Sequence, residues 1–172
     1  MAMGPDSPQH ILRPVRLSTI FVSCLAALVL NFLPWKDLRF VPDFVALVLC
    51  FWCVRQPRLV GLGVAWTLGL LTDAGNGVLL GQHALAYSIL AFLSVWLSRR
   101  ILWFGMPQQM LHVAILLFVS QAVLVLVRMG AGAGFPGWAG MVAAPLLSAV
   151  LWPPLSWLLL MPQRRLDREH MI

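Results

Sequence analysis

The chain alternates between long apolar runs and short polar punctuation. Six runs have the continuity of helices: Leu17 to Leu33, Phe40 to Val54, Leu59 to Thr72, Val78 to Leu97, Met110 to Val127 and Trp138 to Met161. Proline, glycine and basic residues gather between them, in "PWKDLRFVP", "RQPR", "DAGNG", "SRRILWFGMPQQ" and "RMGAGAGFPG". A hydrocarbon core about 30 Å thick takes about 20 apolar residues of helix, so the pattern predicts an all-α, polytopic membrane protein with six transmembrane helices. The second and third runs are short, and extension into their flanks or a locally thinner bilayer accommodates them. No gap is long enough for a soluble domain. The expected organisation is a tail over residues 1–16, a six-helix membrane domain over 17–161 and a second tail over 162–172. Pro42 is expected in the first turn of the second helix, where no backbone donor is lost. Asp43 beside it suits the positive end of that helix.

Composition strengthens this reading. The chain is 60% hydrophobic and 10% charged, with a mean hydropathy of +0.87, whereas soluble domains carry about 25% charged residues. The net charge of +6 does not point to nucleic acid, because the arginines come in pairs between apolar runs. Six crossings put Arg13, Arg16, Arg55, Arg58, Arg99, Arg100, Arg164, Arg165 and Arg168 on one side, and Lys36, Arg39 and Arg128 on the other. Nine basic residues against three, alternating loop by loop, predicts cytoplasmic termini. Arg55, Arg58, Arg99 and Arg100 are the main topology-setting residues. A re-entrant hairpin of the second and third runs would instead bury Arg55 and Arg58, at about 2.5 to 3.5 kcal/mol each. The first helix is not expected to be a removable signal, since "LNFLPW" lacks a small-x-small cleavage site.

The third run carries Gly61, Ala65, Gly69 and Asp73 four residues apart. Small residues let another helix come close, and close packing must do in lipid what the hydrophobic effect does in water. The fourth run repeats the theme with Ala84, Ser88, Ala91 and Ser98. The turn between them is expected over "DAGNG", with Gly75 and Gly77 supplying unusual backbone angles and Asn76 or Gly77 starting the next helix. Asp73 has three readings: a water-reaching residue that stops the helix and ties down the turn, a buried anchor paired with a donor on another helix or a partner, or a proton or ion relay. A relay would need more acidic groups at membrane depth than Asp43. His83 has no second metal ligand at helical spacing and reads as a hydrogen-bonded residue at a helix start. Ser120 and Gln121 read as polar links to other helices.

Cys50 and Cys53 in "CFWC" share redox spacing, yet lie in a predicted lipid-embedded helix, as does Cys24, and read as small buried hydrophobes. The run G-N-G-V-L-L-G lacks the preceding strand and the final spacing of a dinucleotide loop. No catalytic residue, cofactor site or metal site is expected.

The stretch from Val41 to Leu93 closely resembles the family of the rod-shape-determining membrane protein MreD. The PDF opening, the W-x-x-R-Q-P-x-x-V-G turn and the G-L-L-x-D-x-x-x-G-x-x-L-G-Q-H-A-L-A-Y segment match in order. The resemblance implies a non-catalytic subunit of the elongation machinery that guides side-wall peptidoglycan synthesis in the inner membrane. It implies MreC as a partner, with RodA, the elongation-specific transpeptidase and the MreB filament in one complex, in contact with membrane lipid. It further implies a six-helix fold resembling the substrate-binding subunits of energy-coupling-factor transporters. The alternative function is such a vitamin-binding subunit, but the first helix offers Ser23-x-x-x-Ala27 in place of the usual A-x-x-x-A coupling motif. The residues expected at a partner or helix–helix interface are Gly61, Ala65, Gly69, Asp73, Gly77, Gly81, Gln82, His83, Ala84 and Ser88. The stripe Gly61, Ala65, Gly69 has two expected uses: close internal packing of the third helix on the fourth, or a seat for the single helix of the MreC-like subunit, with Asp73 and the "GNG" turn touching that subunit's outer segment.

Overall fold

The computed structural model describes residues 16–35, 41–135 and 137–164. Arg13, Lys36, Arg39, Arg165 and Arg168, used above to orient the chain, lie outside the described residues, as does most of both tails. Among the described residues the chain forms seven helices and no strand: α1 (Leu17–Phe32), α2 (Phe44–Arg55), α3 (Leu62–Asn76), α4 (Gln82–Trp103), α5 (Met106–Gly130), α6 (Trp138–Val150) and α7 (Trp152–Arg164).

The short helix α2 is the centre of the bundle. Every residue from Val45 to Val54 is buried, which is how a helix apolar on all sides behaves. It packs on α1 and α4 and touches α5, α6 and α7. Phe51 and Trp52 meet edge to face at 5.1 Å between centroids. The Trp52 indole N–H donates to Ser23 Oγ of α1 at 2.8 Å, so its one polar atom is satisfied inside the core. The helix starts later than the sequence pattern suggests, because Asp43 is its N-cap and its carboxylate accepts from the Ala46 N–H. Pro42 therefore precedes the helix instead of occupying its first turn.

Helix α4 lies between α3 and α5 and also faces α2, while α5 carries α6 on its other side. The surface of this bundle is apolar: Phe21, Trp66, Phe92, Leu111, Leu126 and Leu146 are all exposed. Large exposed side chains spread over so many helices are what a lipid-facing surface requires and a soluble one avoids. The chain is a membrane protein. By length and hydropathy, α4 and α5 are long enough to cross a bilayer, and α6 with α7 makes a third candidate if the bent pair is one span. Helices α1 and α2, of 16 and 12 residues, are shorter apolar helices.

The expected sixth helix is broken. Between α6 and α7 the axis bends by 41°, because Pro153 and Pro154 have no N–H to donate to the carbonyls one turn earlier. Both fit the first turn of α7, where such donors have no helical partner. The expected boundaries around the third helix shift too. It runs on through Asn76, and α4 begins at Gln82 instead of Val78.

Candidate functional site

Asp73 sits in the last turn of α3, where the negative end of that helix disfavours a carboxylate. It is nevertheless fully buried. The reason lies across the turn, at the start of α4. Asp73 Oδ2 accepts from the Gly81 N–H at 2.8 Å, and the His83 N–H lies 3.1 Å from Oδ1. The Ala84 N–H makes a longer contact of 3.4 Å with Oδ2. The His83 ring completes the set, with Nδ1 2.6 Å from Oδ1. A carboxylate only accepts, so Nδ1 carries the proton here.

These bonds complete the first turn of α4. A helix start leaves its leading N–H groups without partners, and its own N-cap side chain usually supplies them. The N-cap of α4 is Gly81, at φ +104°, with no side chain to offer. The Gln82 N–H finds Leu79 O at 3.4 Å, and Asp73 serves His83 and Ala84 from the preceding helix. Asp73 thus caps a helix other than its own. Of the three readings of this residue, the geometry is that of a buried anchor that also ties down the turn; it does not reach water and does not stop α3, which continues to Asn76 before Gly77 turns the chain at φ +61°.

A second capped carboxylate lies nearby. The Tyr87 hydroxyl, one turn beyond His83 on α4, donates to both oxygens of Asp43, at 3.0 and 2.8 Å. The His83 and Tyr87 rings meet edge to face at 5.7 Å. The Asp43 N–H donates to Ser148 Oγ of α6 at 3.2 Å, and the Phe44 N–H to Asn31 Oδ1 of α1 at 3.4 Å. On the far side of α4, the Arg128 Nε–H of α5 donates to Gln82 Oε1 at 3.1 Å, and the Ser120 hydroxyl donates to Ala86 O at 3.3 Å. Polar groups from α1 to α6 are therefore tied together around the start of α4.

The small-residue stripe has a definite occupant. A Cβ on Gly69 would fall within 3.0 Å of the backbone of His83 and Ala84, so of the two occupants the sequence pattern allows, the fourth helix and a partner's helix, it is α4 that fills the space. Ala65 and Ala84 are buried on these facing helices, whereas Gly61 is the N-cap of α3 and a side chain there would meet open space. Gly75 is helical, not part of the turn; a Cβ there would run into the Phe32 ring of α1. Ser88 uses its hydroxyl within α4, donating to Ala84 O at 2.7 Å.

Arg58, Arg99 and Arg100 are exposed at the other end of the bundle, and Arg55 lies over the Phe51 ring at 5.8 Å. Cys24, Cys50 and Cys53 are all buried free thiols, and Cys50 accepts from the Ser94 hydroxyl at 3.5 Å. Among the described residues no three His, Cys, Asp or Glu side chains come together in a way that would hold a metal ion.

The sequence pattern does not single out Tyr87, Asn31 or Ser148. Tyr87 had a signal: it is the single tyrosine of the chain, one helical turn after His83 and so on the same face. The other two pair across separations of 13 and 105 residues and leave no local trace.

The family model of the rod shape-determining protein MreD matches residues 13–161. The chain belongs to the MreD family. The rod shape-determining protein MreD of Haemophilus influenzae is 31% identical over 157 residues, covering 88% of this chain and 91% of that protein. No solved structure matches the chain. Membership of the MreD family gives the capped hairpin of α3 and α4 its setting, a membrane protein that takes part in determining rod shape. Within it, the Asp73 bonds tie the end of the intervening turn to α3, and Leu79 and Leu80 of that turn are 58% and 66% exposed.

Proposed function

We propose that this chain is a non-catalytic subunit of the cell-elongation machinery that binds MreC and helps to position side-wall peptidoglycan synthesis. In this reading it acts within one complex with RodA, the elongation-specific transpeptidase and the MreB filament. It crosses the bacterial inner membrane six times with both termini cytoplasmic, in a bundle of the kind found in vitamin-binding transporter subunits. One membrane domain spans residues 17–161 between two cytoplasmic tails. The observation that carries the reading is the family match over residues 13–161. The geometry supports a binding role for the turn between α3 and α4, because Asp73 accepts from Gly81 and His83 across it and its Leu79 and Leu80 are exposed. The turn of residues 77–81 is the MreC contact in this account, in place of the Gly69 stripe, which α4 already fills.

The family match and the Haemophilus relative both carry the shape-determining description, and neither carries a transporter's. Full crossings of α2 and α3 are favoured over a re-entrant hairpin because the two helices lean on α4 and not chiefly on each other. Two measurements test the proposal. Cells depleted of their own MreD should regain rod shape when this chain is expressed, and persistent rounding at normal membrane abundance contradicts the role. Reporter fusions after Pro57 and Met106 should read cytoplasmic, and those near Asn76 and Phe135 periplasmic; a periplasmic reading at 57 restores the hairpin.

A further inference from the structure

The last two turns of α4 carry Trp96, Arg99, Arg100 and Trp103, at spacings of three, one and three residues, which put all four on one helix face. Trp96 is 76% exposed and Trp103 91% exposed, and both arginines are exposed. With Leu97 and Phe104 they border a groove of about 640 Å³. One turn further into the helix, Phe92 continues the same face as an exposed apolar residue.

No described carboxylate answers these arginines. Asp43 and Asp73 lie around the start of α4, and 16 residues of helix separate His83 from Arg99, about 24 Å. A tryptophan exposed to this degree is stable where its ring contacts hydrocarbon and its N–H meets polar groups, which is the headgroup layer of a bilayer. A guanidinium in that layer pairs with phosphate through two parallel N–H bonds. The adjoining Phe92 face supplies a path for an acyl chain.

We propose that Arg99 and Arg100, flanked by Trp96 and Trp103, bind the phosphodiester headgroup of an anionic phospholipid whose acyl chain runs along α4 past Phe92. Each arginine near such a surface contributes about fivefold in affinity, so the pair contributes roughly 25-fold. The site is independent of the MreC contact, which lies at the opposite end of α4.

The test is native mass spectrometry of the full chain titrated with phosphatidylglycerol or with phosphatidylcholine. The unmodified chain should prefer phosphatidylglycerol, Arg99→Gln with Arg100→Gln should lose roughly 25-fold of that preference, and Arg58→Gln should keep it. An unchanged preference in the double Gln variant, or an equal loss in Arg58→Gln, overturns the site in favour of diffuse surface charge. A benzoylphenylalanine in place of Phe104 tests the site with both arginines present. In mixed vesicles it should crosslink phosphatidylglycerol well above its mole fraction. Crosslinking in proportion to mole fraction, or capture of an acidic protein segment in place of lipid in cells, also overturns the proposal.

Discussion

Replacing Asp73 separates hydrogen-bond geometry from charge. Asp73→Leu leaves the His83 and Gly81 N–H groups and the His83 ring without their acceptor. An orphaned buried donor costs about 1 to 3 kcal/mol. Gly81 is half-buried and the Ala84 contact is long, so about 3 to 5 kcal/mol is expected in all. Asp73→Asn can keep its carbonyl at the Oδ2 position, 2.8 Å from Gly81 N and 3.2 Å from His83 N. Its amide then donates to a His83 ring carrying the proton on the other nitrogen. What is lost is mainly the attraction between a charge and the start of α4, about 1 kcal/mol. Unfolding of the micelle-bound protein by added SDS, followed by tryptophan fluorescence, measures both variants. Asn should sit close to the unmodified protein and support rod shape far better than Leu at equal membrane abundance. Equal damage from Asn and Leu would refute the reasoning, because charge would then matter more than acceptor geometry.

Gly69→Ala should destabilise by about 1 to 3 kcal/mol, the usual range for overpacking, because its Cβ meets the α4 backbone and not a side chain that can swing away. Gly69→Leu should lower the amount of folded protein in the membrane, and normal abundance with lost partner binding would return the stripe to the partner. Tyr87→Phe keeps the ring packing and removes the hydroxyl bonds to Asp43. The same SDS titration should show a loss of about 1.5 to 3 kcal/mol, the range for hydrogen bonds to charged groups, and no loss would separate Asp43 from the α4 network.

The membrane character was legible because it depends on composition, and the apolar runs located the helices because periodicity and proline are local signals. The errors follow from longer-range effects. The apolar pattern starts the fourth helix at Val78, since nothing nearby announces that the Gly81 N–H is capped by Asp73, eight residues earlier. The run Trp138 to Met161 read as one helix because hydropathy does not register the paired prolines at 153 and 154. Gly69 was recognisable as a place of close approach, but not the identity of the approaching helix. Small residues on α3 and α4 describe internal packing and partner docking in the same terms, and only the position of the Ala84 backbone separates them. Gly75 read as a turn residue because the ring it accommodates, Phe32, belongs to a distant helix.

Photo-crosslinking in growing cells tests the central claim, that the turn capped by Asp73 is the surface through which this protein joins its complex. A benzoylphenylalanine replaces Leu80 in the turn, or Leu146, which is exposed on α6. The account predicts a crosslink to MreC from position 80, none from 146, and loss of the position-80 crosslink when Asp73→Leu is added at unchanged abundance. A crosslink to MreC from 146 with none from 80 would contradict it.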